Sequence, residues 1–320
     1  MAMKTKTMII IALIALAAGL WMTTRGSSED ARLVPAWQLT VDQAYDGEPS
    51  QDPVMSWSPD SKSLLFAVVG LQSHKFSILK WNVGDQRAER ATYGVCPNYV
   101  DNDSFMLFRS SPLGIYERNL VTGKESPIAP NLRKLDLWKE ISAFSYDPVR
   151  KTIALRFSGF TRYYEPGCQE VDLTGKFLGN VCRTTGDGVL DRSLDPKGGQ
   201  SAVILGDLAG KTRELRISPQ GGDAKGRVAA SGNLGAVAWS PNGRVVAYAE
   251  DNTVKALDPS TMKIATVARF GKLPESGDKP YVCRLLWSPD GDYLAAMELV
   301  PGDYVTFEMI YALDMSKLKW

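Results

Sequence analysis

The sequence is poor in the residues that nucleophilic and metal chemistry most often use. Among 320 residues there are four cysteines and one histidine, His74. A Ser-His-Asp or Cys-His arrangement needs a base beside its nucleophile, and His74 lies in a stretch typical of a surface loop. The sequence has no Gly-x-Ser-x-Gly or Cys-x-x-Cys motif, and one histidine is too few for a typical zinc site. We therefore expect no cofactor, no metal site and no nucleophilic active site.

The sequence also has no excess of either charge. It contains 37 Lys and Arg residues against 36 Asp and Glu residues. A general nucleic-acid binder needs a basic excess to neutralise phosphates, so this class of partner is not expected. Glycine-rich phosphate loops are absent as well, because the nearest approach, residues 219–223, has no helix after it to hold a phosphate.

Only one apolar run is long enough to interact with a membrane, and it spans residues 8–22. Lys4 and Lys6 precede this run, and a polar linker, residues 25–32, follows it. A basic head before an apolar stretch is typical of an export signal. Residues 1–24 are predicted to form one apolar helix, either an uncleaved signal anchor, which we favour, or a cleaved signal peptide. Either form predicts an extracytoplasmic (periplasmic or cell-surface) protein, and the anchor form adds attachment to the membrane.

What the sequence does contain is a repeat. Three strong copies begin Trp57-Ser58-Pro59-Asp60, Trp239-Ser240-Pro241-Asn242 and Trp287-Ser288-Pro289-Asp290, and an apolar strand follows each of them. Two weaker copies contain Asp147-Pro148 and Asp195-Pro196. Proline presets the second position of a tight turn, and Asp, Asn and Gly suit the positions after it. We expect the acids to belong to these turns and the tryptophans to pack between repeats.

The spacing of the copies predicts their number. Pro148, Pro196, Pro241 and Pro289 follow one another at 48, 45 and 48 residues, whereas Pro59 lies 89 residues before Pro148. A further copy is therefore expected in that gap, and residues 95–108 match it in degraded form. Six periods of about 45 residues, each with four short strands, are typical of propeller blades.

The fold predicted is all-β, a six-bladed β-propeller of four-stranded antiparallel blades, preceded by one N-terminal apolar helix. The propeller is expected over residues 33–320. Its blades are predicted at about 50–94, 95–131, 140–186, 187–232, 233–271 and 281–320, the last completed by residues 33–41. The reason for this last assignment is that blade 6 has only residues 315–320 left for a fourth strand, and an open sheet edge is a liability.

The Trp-Ser-Pro-Asp-Gly turns resemble the WD40-like repeats of TolB-type propellers, and the resemblance covers nearly the whole chain after the linker. It implies the propeller fold and a role in a complex of the cell envelope. The N-terminal domain of TolB has no counterpart in this sequence. Propellers host many unrelated activities, so the resemblance is specific for the architecture and says little about function.

The four cysteines fall into two groups. Cys168 and Cys182 flank a turn at residues 174–176, so a hairpin would bring them together, and a disulfide is predicted in an oxidising compartment. Cys96 and Cys283 belong to the inner strands of blades 2 and 6, which blade 1 separates. They are expected to be two buried thiols that are too far apart for a disulfide.

Three connections are unusual in length or composition, and they are the predicted partner-binding loops. Long loops on a rigid scaffold often carry function, and Arg, Tyr and Trp are enriched at binding hot spots. The candidate contact residues are Arg133, Trp138, Arg162, Tyr163, Tyr164 and Tyr304.

Two functions follow as hypotheses. The first is a propeller at the membrane or cell envelope that binds a protein or another envelope component through its loops. The alternative is an enzyme that uses carboxylates, with or without a divalent metal, at the mouth of the central channel, as some lactonase-type propellers do. Three or four Asp, Glu or Asn side chains converging on the channel axis would favour the enzyme.

Overall fold

A computed structural model describes residues 36–45, 55–69, 76–110, 112–134, 141–157, 168–180, 189–206, 213–219, 226–270, 282–301 and 306–318. The predicted apolar helix of residues 1–24 and the linker lie outside these residues. Within them the chain forms 24 β-strands in six four-stranded sheets, and every neighbouring pair of strands is antiparallel. The predicted fold, a six-bladed β-propeller, is confirmed.

The strands follow the predicted periods, and the sheets are numbered as blades 1–6 in chain order. Before blade 1 comes β1 (Ala36–Tyr45). Blades 1 and 2 contain β2 (Met55–Trp57), β3 (Ser63–Val69), β4 (Phe76–Asn82), β5 (Glu89–Tyr93), β6 (Val95–Tyr99), β7 (Ser104–Ser110), β8 (Leu113–Asn119) and β9 (Glu125–Ile128). Blades 3 and 4 contain β10 (Ile141–Asp147), β11 (Thr152–Phe157), β12 (Cys168–Asp172), β13 (Phe177–Asn180), β14 (Val189–Leu194), β15 (Gln200–Leu205), β16 (Arg213–Pro219) and β17 (Arg227–Gly232). Blades 5 and 6 contain β18 (Leu234–Trp239), β19 (Val246–Glu250), β20 (Thr253–Leu257), β21 (Ile264–Arg269), β22 (Val282–Trp287), β23 (Tyr293–Pro301) and β24 (Thr306–Asp314).

The sixth blade takes its outer strand from the other end of the chain. Its strand order is β1-β24-β23-β22, and β1 pairs with β24 from Ala36 opposite Leu313 to Tyr45 opposite Thr306. The sequence pattern assigned this strand to the same place. A strand from the start of the chain thus covers the edge that the last blade would otherwise leave open. The degraded copy at residues 95–108 forms β6 and β7, the first two strands of blade 2.

The core lies between blades. In the described part of the chain, five clusters of buried apolar side chains span the junctions of blades 1–2, 2–3, 4–5, 5–6 and 6–1. Among these same residues, no cluster spans blades 3 and 4. Burial in a propeller is therefore shared between neighbours, and each junction depends on two blades.

The repeat turns are held by bonds between side chains and backbone. In blade 6 the Ser288 hydroxyl donates to Asp290 Oδ1 at 2.6 Å and accepts from the Tyr293 amide at 2.9 Å. The amide of Gly291, which has φ of +80°, donates to the Ser288 carbonyl, and glycine adopts this φ at little cost. The same serine bonds recur in blades 1 and 5 at Ser58 and Ser240. The expectation that the acids belong to the turns is confirmed.

The tryptophans of the repeat lie in the junctions, as expected. Trp57 Nε1 donates to the Leu286 carbonyl at 3.0 Å, and Trp287 Nε1 donates to the Ala238 carbonyl at 3.0 Å. Other junctions have a different hydrogen bond. The acceptor is the side-chain oxygen of the residue just before the tryptophan position of one repeat, and the donor is the backbone amide of the aromatic residue at the tryptophan position of the next blade. These pairs are Ser56 with Tyr99, Asn98 with Tyr146 and Ser193 with Trp239. Burial raises the pKa of Tyr99 to about 12, and its hydroxyl bonds with that of Ser63 at 2.7 Å.

Candidate binding face

The strand order separates two kinds of connection. Because all strands in a blade are antiparallel, the turns from first to second strand and from third to fourth strand lie at one end, here called the turn end. The connections from second to third strand, and from one blade to the next, begin and end at the other, here called the loop end. Short capped turns occupy the turn end. Long connections therefore gather at the loop end, where the predicted partner-binding loops belong.

Most of the predicted contact residues lie outside the described residues, namely Trp138, Arg162, Tyr163, Tyr164 and Tyr304. The strands that flank them are described. The connection of residues 158–167 joins β11 to β12, and that of residues 302–305 joins β23 to β24, so both begin and end at the loop end. The assignment of these residues to a binding surface stays a prediction.

Arg133 has a different place. Its backbone belongs to a short 3-10 helix, η1 (Pro130–Lys134). The Ala129 amide donates to the Leu173 carbonyl at 2.9 Å, and Leu132 is fully buried. Leu173 follows β12 at the turn end of blade 3, so η1 lies beside that turn. The structure therefore does not bring Arg133 to the loop end with the other candidates.

The hairpin that carries Cys168 forms, but its register differs from the predicted one. Gln169 pairs with Asn180 rather than with Val181, and a bulge follows at Glu170 and Val171. The cause is the turn, which is centred on Thr174 rather than on Gly175, because the Asp172 amide donates to the Lys176 carbonyl and Val171 pairs with Phe177. This shifts the register by two residues, and the bulge restores only one of them. Cys182 lies outside the described residues, so the Cys168–Cys182 disulfide stays a prediction.

Cys96 and Cys283 are both buried, and neither forms a disulfide. The Cys283 Sγ donates to the Met297 carbonyl at 3.6 Å. The expectation of two buried thiols is confirmed. Each cysteine lies near the start of an inner strand where the register shifts by a bulge.

The described part of the loop end exposes two aromatic side chains in blade 1. Phe76 begins β4 and is 45% exposed, and Tyr93 ends β5 and is 44% exposed. The Gly94 amide donates to the Phe76 carbonyl, and Ser77 pairs with Tyr93, so the two aromatics flank the end of the sheet on opposite faces. The Arg90 guanidinium lies 4.8 Å from the Tyr93 ring centre and donates to its hydroxyl at 2.9 Å.

A polar network supports this end from blade 2. Arg109 Nε donates to the Tyr93 carbonyl at 3.0 Å, and Arg109 Nη2 donates to Glu125 Oε1 at 2.7 Å. Glu125 also accepts from Arg118 at 2.7 Å and from the Thr92 hydroxyl at 3.1 Å. One carboxylate thus joins the outer strands of blades 1 and 2 and holds the backbone beneath Tyr93. The sequence pattern did not single out these residues, because they are scattered over 33 positions.

Two further polar groups at the loop end are buried. Glu298 is 1% exposed and accepts a bond from the Tyr311 hydroxyl at 2.6 Å, and Phe270 stacks on the Tyr311 ring with centres 4.1 Å apart. Arg213 is 8% exposed, and its Nη1 donates to the Leu234 carbonyl at 2.6 Å. Burial lowers the pKa of Arg213 by penalising its charged form. Sequence reasoning missed both groups, since burial of a charged side chain leaves no local signal.

Among the described residues, no group of three or more His, Cys, Asp or Glu side chains is placed to hold a metal ion. In the same part of the chain, no helix has the length and apolar character needed to span a membrane.

Comparisons with known proteins find similar folds but no close sequence relative. No family model matches the chain, and no curated protein is significantly similar to it in sequence. A structure of oligogalacturonate lyase in complex with manganese has a TM-score of 0.50 at 13% identity, over 89% of this chain and 98% of the lyase. The oligogalacturonate lyase of Vibrio parahaemolyticus has a TM-score of 0.48 at 12% identity, over 90% of this chain and 100% of that one.

TolB from Acinetobacter baumannii is also similar, with a TM-score of 0.46 at 18% identity over 71% of this chain. The match spans only 57% of the TolB chain. At these identities the likenesses concern the fold alone. The resemblance to TolB-type propellers that the turns carried is confirmed at that level.

Proposed function

We propose that the protein is a binding module, an extracytoplasmic propeller that binds a protein or envelope component through its loop end. The observation that carries the proposal is the exposure of Phe76 and Tyr93 at the end where the strands flanking the Arg- and Tyr-containing connections of residues 158–167 and 302–305 begin and end. Aromatic and Arg side chains on a rigid support are the usual centres of binding energy. The turn end offers less, since its acids are bonded to their own turns.

The N-terminal segment is proposed to deliver the propeller to the outer side of the membrane and, if uncleaved, to hold it there. The basic head and apolar run of residues 1–24 support this location. A polar linker, residues 25–32, separates this segment from the propeller. A partner in the membrane or the cell envelope would meet it there.

Site-specific photocrosslinking tests this function in the native membrane. A photoreactive residue at position 163 or 304 of the full chain is expected to form adducts with another protein. Matched positions at the turn end are Val121 and Val149, which are 77% and 90% exposed. They are expected to give no such adduct. Equal labelling from both ends, or adducts only from the turn end, would contradict a loop-end binding face.

Substitutions of the two exposed aromatic residues at the loop end make the test more specific. Phe76→Ser and Tyr93→Ser together are expected to reduce the crosslink from position 163 at least about tenfold, since hot-spot aromatics are each worth about 2 kcal/mol or more. Both side chains are nearly half exposed, so the unfolding midpoint should hardly change. Val228→Ser, which alters a side chain 47% exposed on the outer strand of blade 4, is the control.

Carboxylate or metal chemistry at the channel mouth is the competing function, and metal analysis separates the two. The purified full chain is expected to contain no stoichiometric divalent ion after equilibration with manganese, calcium or zinc and removal of the excess. One tightly held ion per chain would replace the binding module with a metal-dependent enzyme as the better function.

A further inference from the structure

Among the described residues, Arg213 carries a buried guanidinium whose hydrogen bonding is incomplete. Arg213 is the first residue of β16, at the loop end of blade 4, and Gly232 is its cross-strand neighbour. A Cβ on Gly206 would lie 2.9 Å from Arg213 Cγ, so only glycine leaves room for the arginine stem there. The side chain then reaches blade 5, where Nη1 donates to the Leu234 carbonyl at 2.6 Å. Arg213 therefore bridges two blades at the loop end.

Among the described residues, no carboxylate is paired with this buried guanidinium. Arg213 is 8% exposed, and its Nε is buried with no hydrogen-bond partner in the described part of the chain. The carboxylate near Gly232 belongs to Glu250, which is engaged by Lys255 at 2.5 Å. Burying a charge without a partner is costly, and a native structure that keeps such a group usually satisfies it with water, an ion or a ligand.

The geometry of the guanidinium edge that contains Nε selects the kind of ligand. Nη1 is bonded to the Leu234 carbonyl, whereas Nε has no partner among the described residues and shares the other edge of the guanidinium with Nη2. Two parallel N–H groups on one side of a planar guanidinium match the two oxygens of a carboxylate. A halide or a single water offers one acceptor to this edge and leaves the second donor unsatisfied.

We propose that Arg213 is the centre of a carboxylate-binding site at the loop-end junction of blades 4 and 5. The carboxylate comes either from a free organic acid or from an acidic side chain or C-terminus of the bound partner. The second source rests on the proposed function, because it makes this site the part of the binding face that recognises an acidic segment.

Thermal unfolding of the full chain with added anions tests the site. The probes are acetate, succinate, a triglutamate peptide, and chloride at matched ionic strength. Carboxylates are expected to raise the unfolding midpoint in a saturable manner, because a ligand that binds only the folded state stabilises it, whereas chloride is not. A peptide that binds more tightly than the free acids assigns the carboxylate to a partner, and the reverse order assigns it to a small molecule.

Variants connect the effect to Arg213. Arg213→Gln is expected to abolish the carboxylate effect, and Arg213→Lys is expected to weaken binding at least about tenfold, since lysine keeps the charge but loses the fork. Arg216→Gln is the control, because Arg216 lies on the same strand and is paired with Glu214. Should the glutamine variant fail to fold, the lysine variant decides.

Two results would overturn the site. One is a wild-type midpoint that carboxylates raise no more than chloride does. The other is an equal response in the wild type and in Arg213→Lys, which would show adventitious anion binding elsewhere. Loop-end crosslinks without a carboxylate response would refute the site and leave the binding face intact. A carboxylate response without crosslinks would do the opposite.

Discussion

Blades 5 and 6 carry the repeat in complete form, blades 3 and 4 carry it in degraded form, and the copy in blade 4 has kept only half of it. In blade 6 the repeat forms both the turn at Ser288 and the junction at Trp287, which is 8% exposed. In blade 4 the turn survives, because Asp195 Oδ1 accepts from the Lys197 amide at 3.0 Å. The residue at the tryptophan position, Leu194, is 53% exposed. Turn formation and junction packing are thus separable parts of one motif.

Trp239, the tryptophan that packs against blade 4, also lacks a hydrogen bond that the other repeat tryptophans make. Trp239 of blade 5 faces blade 4, and its Nε1 is buried without a hydrogen-bond partner in the described part of the chain. The equivalent indoles of Trp57 and Trp287 each donate to a carbonyl of the preceding blade. Ser193 compensates in part by accepting from the Trp239 amide at 2.7 Å. The complete blades therefore form the tightly held side of the ring, and blades 3 and 4 form the looser one.

Removal of the closing strand should have the largest effect, because it acts on the tightly held side. Deletion of residues 31–42 removes most of β1, which pairs with β24 along nearly its whole length. We expect cooperative unfolding to be lost, since the cost should exceed the 5–15 kcal/mol that stabilises an ordinary domain. Circular dichroism during heating measures this. Deletion of residues 25–30 is the matched control, and equal melting of the two variants would exclude a closing role for β1.

Truncation of the side chain at the tryptophan position of the repeat should have the next largest effect. The loss of unfolding free energy should differ clearly between blade 6 and blade 4. Trp287→Ala removes a buried ring and its bond to Ala238, and we expect a loss of about 3–5 kcal/mol. Leu194→Ala at the equivalent position of blade 4 should cost less than about 1 kcal/mol, because half of that side chain is already exposed. Denaturant unfolding gives both values. Similar losses in the two variants would show that blade 4 has kept its junction.

The architecture was largely predictable because its signals are local. Tight turns depend on residues adjacent in sequence, and their period revealed the blade number, including the copy at residues 95–108. The strand of Ala36–Tyr45 was assigned by counting strands, since a ring requires closure. The bulge at Glu170 and Val171 escaped, because an extra residue in a strand leaves no pattern in a single sequence.

The binding face stays a prediction from loop composition. Of its candidate residues only Arg133 falls in the described part of the chain, and η1 keeps it beside the turn of blade 3 through contacts that sequence cannot reveal. The exposed Phe76 and Tyr93, and the buried Arg213, depend on distant neighbours in the same way. Arg213 in particular is buried through Gly206 and Leu234, one seven residues before it and one in the next blade.

Loss of the turn serine should have a smaller effect that again differs between complete and degraded copies. Ser288 is fully buried, and Ser288→Ala removes the acceptor for the Tyr293 amide and the donor to Asp290. We expect a loss of about 1–3 kcal/mol. Lys197→Ala in the blade 4 turn should stay within about 0.5 kcal/mol, since only its backbone amide takes part. A neutral Ser288→Ala variant would assign the turn to its backbone alone.

The outer turns should show the smallest effect and no difference between the two sides. The hydroxyls of Ser260 and Thr261 donate to Asp258 and lower its pKa to about 2, and the Thr174 hydroxyl lowers the pKa of Asp172. A depressed pKa contributes stability above the unfolded value, about 4, and that contribution is lost as pH falls through the folded value. Asp258→Asn should therefore flatten the decline of the unfolding midpoint between about pH 4 and 2, and Asp172→Asn should flatten it below about pH 4. A flattening confined to Asp258→Asn would show that the degraded blade has lost its outer turn as well.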